Sequence, residues 1–79
     1  MPSTAEGSRF IVRENSGYAI LPDGGQGSVE RTEIMVMDRA YCHKVVWTNW
    51  NNERVMHLPL DKQRRHAWLV ADHMERHYG

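Results

Sequence analysis

Apolar residues are distributed differently in the two parts of this chain. As far as Leu58 they come in short runs rich in β-branched and aromatic side chains, and beyond Pro59 they recur at helical spacing. Residues 9–14 (RFIVRE) and 18–21 (YAIL) are two β-prone runs. Asn15, Ser16 and Gly17 lie between them, a combination that predicts a hairpin turn. Pro22 cannot donate to a ladder and suits a strand end. Gly24, Gly25 and Gly27 predict a loop. In residues 29–38 (VERTEIMVMD) the second half, 34–37, is apolar on both parities, as befits a central strand. Residues 38–50 carry no clean 3.6 period. Asp38 could cap a helix with Ala40 and Tyr41 in its first turn, but the block Val45, Val46, Trp47, Thr48 favours a strand. The preferred reading is a second hairpin, residues 41–48 against 53–58 (ERVMHL), with a turn around Trp50.

Pro59, Leu60 and Asp61 break that strand, and Asp61 is the expected N-cap of a helix over residues 61–77. At 100° per residue Ala67, Val70, Ala71, Met74 and Tyr78 share one face, with Arg65, Asp72 and Arg76 opposite. About 17 residues at 1.5 Å each reach roughly 25 Å, enough to cross a small sheet. The fold class is therefore α+β: a small, mostly antiparallel sheet of about five strands with one C-terminal helix packed on it. Residues 1–8 (MPSTAEGS) read as a loose tail and residues 9–79 as a single small domain.

Size and charge narrow the classes of function. A chain of 79 residues holds one core and gains from a partner. A single cysteine, Cys42, cannot close an intrachain disulfide. Lys+Arg and Asp+Glu both number 10, which argues against electrostatically driven nucleic-acid binding and against an acidic mimic of nucleic acid. The longest apolar run, residues 67–71, is far short of a membrane span, and no signal-like segment opens the chain. No membrane association is expected, and a cytoplasmic location is. The strands carry apolar residues on both parities, yet one helix covers only one sheet face. The expectation is that the sheet either curls on itself or meets a second copy, and a homodimer is favoured.

No constellation of catalytic residues stands out. The chain has 5 histidines, and His66, His73 and His77 share a helical stripe. Neither His73 nor His77 is followed by the glutamate of an H-E-x-x-H zinc helix, and a four-ligand set is missing. Cys42 and His43 would face opposite sides of a strand, so an inert buried cysteine is expected. The glycine loop lacks the Gly-Lys-Ser/Thr ending of a phosphate loop. No enzyme activity, catalytic residue, cofactor or metal is expected. The candidate protein interface is Trp68 and Leu69 with Arg65 and Arg76, since tryptophan and arginine are enriched at binding hot spots. Alternatively, Trp68 seals the core edge against Trp47 or Trp50. A second functional reading makes Lys62, Arg64 and Arg65 phosphate contacts of a nucleic-acid-binding helix.

The stretches FIVRENSGYAILPD and VVWTNWNNERVMHLPLDKQRRHAWLVADHMERHYG resemble small accessory proteins of actinobacterial phages. Those often pair a hairpin of the form x-V-x-x-N-x-G-Y with an alanine- and arginine-rich terminal helix. The resemblance covers about two thirds of the chain and implies a role in the host cytoplasm, binding or modulating a host protein. It transfers no catalytic residue.

Overall fold

The computed structural model describes residues 7–20 and 28–79, with side chains left aside at 18–20 and 28–30. Residues 1–6 of the tail expected over 1–8, and the glycine loop with Pro22, lie outside the described residues. Three antiparallel strands form one sheet in the order β1 (Phe10–Ile20), β2 (Ser28–Asp38), β3 (Lys44–Thr48). A four-residue helix, α1 (Glu53–Met56), precedes the long C-terminal helix α2 (Leu60–Tyr78). The α+β class and the terminal helix are as expected, but there are three described strands where about five were expected.

Two of the expected strand breaks and pairings are corrected. Asn15, Ser16 and Gly17 do not turn the chain. They pair in continuous register with Glu33, Thr32 and Arg31, and the Ser16 and Thr32 hydroxyls lie 3.1 Å apart. The sole described glycine with positive φ is Gly7, so the left-handed residue that a tight hairpin needs is missing at Gly17. Residues 53–58 do not pair with β3. Asn52 accepts the Val55 and Met56 amides through its carbonyl and starts α1 instead.

Residues 35–37 are central as expected, since β2 has a strand on each side there; Ile34 pairs with β1 alone and meets the Asn49 side chain on its other side. Phe10, Val12, Ile34 and Val36 point to the helix side with Trp47, which pairs with Val36. Phe10, Ile34, Val36, Ala67 and Ala71 form the buried cluster, edged by Val12, Val46, Trp47, Val70 and Met74. The two alanines allow α2 to approach the sheet closely. Tyr78 stays 62% exposed, although its ring lies 6.3 Å from that of Phe10. Pro59 occupies the N-cap position expected for Asp61, and its carbonyl accepts the Lys62 and Gln63 amides. Asp61 falls in the first turn, where a carboxylate favours the helix dipole. On the other sheet face Ile11, Met35 and Met37 are half-buried and Val45 is exposed, with no described element covering them.

The connection from β2 to β3 is a 3₁₀ turn, Arg39–Tyr41, capped by Asp38, whose carboxylate accepts the Ala40 amide. Cys42 and His43 follow with φ of 56° and 59°. Cys42 is exposed, which corrects the expectation of a buried cysteine in a strand.

Asp38 also receives a two-pronged contact from Arg9, Nε to Oδ1 at 2.9 Å and Nη2 to Oδ2 at 3.0 Å. Arg9 in turn donates from Nη1 to the Tyr78 carbonyl and from its backbone N–H to Glu75 Oε1, so one residue joins β1, β2 and the end of α2. The Arg9 hydrogen bond holds the Asp38 carboxyl below its usual value; burial opposes this, and the Ala40 amide adds to it. A carboxyl whose folded value lies below its unfolded one stabilises the fold fully above the unfolded value. That contribution is lost as pH falls through the folded value. Thermal melts from neutral pH to about pH 2 should show wild type losing stability below about pH 4, with its advantage over Asp38→Asn shrinking in that window. A constant difference between the two proteins would show that the pair does not act this way.

Candidate functional site

The outer face of α2 is set by the same periodicity that buries its inner face. With Ala67 and Ala71 against the sheet, 100° per residue turns Arg65, Leu69 and Arg76 to the opposite side. Leu69 is 61% exposed and Trp68, on the flank, 37%. Arg76 Nε lies 3.1 Å from Asp72 Oδ2, one helical turn away. Arg65 makes no ion pair with a described residue. The expected interface residues thus share one exposed surface, an apolar centre bounded by two arginines. Trp68 is outside the buried cluster. It is Trp47, not Trp68, that stacks across the helix edge, with its ring 5.7 Å from that of His66.

Lys62, Arg64 and Arg65 do not converge. Arg64 turns inward and donates from Nε to both Glu14 oxygens, at 3.0 and 2.9 Å. The Glu14 hydrogen bond and charge raise the Arg64 pKa. Lys62 and Arg65, three residues apart, share the outer side of the helix and point away from Arg64. One of the three cations is therefore occupied by a strand carboxylate.

A second surface escapes the sequence reading. Where β3 ends, β2 runs on past it, and a cleft of about 320 Å³ opens between Arg31, Trp50, Met56 and Leu60. Trp50, Met56 and Leu60 are 43%, 39% and 36% exposed. Its floor is a closed polar network. Asn49 Nδ2 donates to the Gln63 Oε1 at 2.6 Å and to the Thr32 carbonyl at 3.1 Å, and Gln63 Nε2 donates to the Leu58 carbonyl at 2.9 Å. The cleft thus combines the apolar side chains of Trp50, Met56 and Leu60 with a polar side formed by Arg31, Thr32, Asn49 and Gln63. The sequence signal for it is Trp50 and Leu60 near Pro59, but the cleft exists only because α1 turns the chain back toward α2.

The remaining candidates stay apart. The His73 and His77 rings lie 4.4 Å apart on α2, and among the described residues no three His, Cys, Asp or Glu side chains gather in a metal-binding arrangement. Cys42 and His43 sit together in the left-handed turn, away from α2 in sequence. Among the described residues no helix is long and apolar enough to cross a membrane. Compared with protein-family models, curated proteins and solved structures, the chain matches none.

Proposed function

We propose that the chain is a small, non-enzymatic protein-interaction module that contacts its partner through Arg65, Trp68, Leu69 and Arg76 on the outer face of α2. The observation that carries this reading is Leu69, 61% exposed at the centre of that face beside a partly exposed tryptophan and between arginines. Leucine at a solvated helix position costs nothing by itself. Combined with tryptophan and arginine, it has the composition of a binding hot spot, in which an apolar anchor is ringed by polar contacts. In line with its resemblance to accessory proteins of actinobacterial phages, the partner is a host protein in the cytoplasm of the infected cell. The engagement of Arg64 by Glu14 favours this over phosphate binding by Lys62, Arg64 and Arg65.

The test is affinity capture from an actinobacterial lysate with wild type and Leu69→Asp in parallel. An exposed helix position tolerates the change within about 0.5 kcal/mol, so both proteins should give the same far-UV spectrum. A protein retained by wild type and reduced at least about tenfold by Leu69→Asp is the expected result, since a hot-spot loss is about 2 kcal/mol. Equal capture by both, or retention of nucleic acid alone with strong salt dependence, would overturn the reading.

A further inference from the structure

The two edges of the sheet differ in how well they are protected. β3 is five residues long, starts at Lys44, and has a register shift that leaves Val46 opposite no residue of β2. Shortness, a bulge and an edge lysine all discourage pairing with another chain. β1 has none of these. It runs for 11 residues in unbroken register with β2 and contains neither proline nor lysine. At 3.4 Å per residue its outer edge exposes roughly 37 Å of backbone donors and acceptors. α2 packs on the face of β1 and β2, which leaves that outer edge uncovered by any described element.

The order of residues along β1 is nearly symmetric in polarity. Apolar Phe10, Ile11 and Val12 precede five small or polar residues, and Tyr18, Ala19 and Ile20 follow, with Asn15 at the midpoint. We propose that β1 pairs with β1 of a second copy, antiparallel about a two-fold axis through Asn15, giving a continuous six-stranded sheet with both α2 helices on one face. In that register Asn15 opposes its own copy, Glu14 meets Ser16, Arg13 meets Gly17, and the three apolar positions at each end meet apolar positions.

Registers centred on the charged residues are worse for a physical reason, and one centred on Ser16 pairs less of the strand. A two-fold axis perpendicular to the sheet keeps each side chain on its own face, so the axis must pass through a residue position. Moving it to Arg13 sets arginine against arginine, and moving it to Glu14 sets glutamate against glutamate. Directly opposed like charges destabilise a strand pair. The Asn15 register is the central one with a neutral residue on the axis, and it uses the full strand. This inference goes beyond the proposed function and uses a different surface, so either can fail alone.

The register makes a specific test possible, because a residue on the axis faces itself. Sedimentation over a hundredfold concentration range would compare wild type, Asn15→Glu, Asn15→Lys and an equimolar mixture of the two variants. Asn15 is exposed, and both variants should keep the wild-type far-UV spectrum. Wild type should sediment as a dimer of the 9.2 kDa chain. Each variant alone should dissociate about tenfold more readily than the mixture, in which glutamate meets lysine across the axis. A monomer mass for wild type at every concentration would overturn the proposal. So would a dimer indifferent to Asn15, or variants whose pairing does not recover on mixing.

Discussion

Replacing Asn49 with alanine should lower the free energy of unfolding by about 3 kcal/mol, a large loss for one polar residue of a 3₁₀ turn. The β2–β3 ladder ends at Met35 and Thr48, so the next amide, that of Ile34, has no strand opposite it on the β3 side. The side chain of Asn49 takes the place of that strand. Its Oδ1 accepts the Ile34 N–H at 2.9 Å, and its Nδ2 donates to the Thr32 carbonyl and to Gln63. Asn49 is 2% exposed and Ile34 fully buried. Truncation strands a buried donor and removes a partner from two acceptors, at about 1–3 kcal/mol for each buried group left unpaired. Water entering from the cleft beside Thr32 relieves part of that. A chain of this length has roughly 4–12 kcal/mol in total, so the variant should be substantially weakened in urea. Asn49→Asp keeps an acceptor for Ile34 but loses both donated bonds, and should also be destabilised. Urea melts followed by circular dichroism decide the matter. A loss below about 1 kcal/mol for Asn49→Ala would mean that water substitutes for the amide.

This network also shows what the sequence reveals and what it hides. α2 is legible because 19 residues without proline or glycine repeat the apolar stripe often enough to define a face. The same periodicity places Leu69 and Arg65 outside, so that candidate surface is legible too. The centrality of residues 35–37 follows from apolar residues on both parities. Local turn chemistry misleads at Asn15, Ser16 and Gly17, because these residues permit a turn without requiring one. Their conformation is fixed by β2, a strand distant in sequence that offers a partner for each of them. Residues 53–58 mislead in the opposite sense. Their apolar residues, Val55, Met56 and Leu58, suit a strand, but the Asn52 carbonyl takes the Val55 and Met56 amides and starts a helix instead. The left-handed pair Cys42 and His43 gives no warning in sequence, because neither residue is glycine. The cleft is invisible for the same reason as α1: it depends on where the chain turns.

Phe10→Ala should be the most damaging single substitution, with an expected loss of about 3–5 kcal/mol. Phe10 is 1% exposed and is the largest side chain of the buried cluster. A core of five fully buried residues cannot redistribute around a missing ring, so most of the vacated volume would remain as a cavity. The position also matters for where the chain closes. Phe10 opens β1, lies beneath the Arg9 guanidinium at 5.0 Å, and faces Tyr78 from the last turn of α2. The neighbouring Arg9 contacts Asp38, Glu75 and the Tyr78 carbonyl, so the two ends of the fold meet around one residue pair. Losing the ring removes the apolar floor beneath those polar contacts and lets water reach them. Phe10→Leu keeps much of the volume and should lose well under half as much. Urea unfolding of the two variants beside wild type measures the difference. If Phe10→Ala costs no more than Phe10→Leu, the first residue of β1 does not close the core, and the stability of the fold resides in Ile34, Val36 and the two alanines of α2.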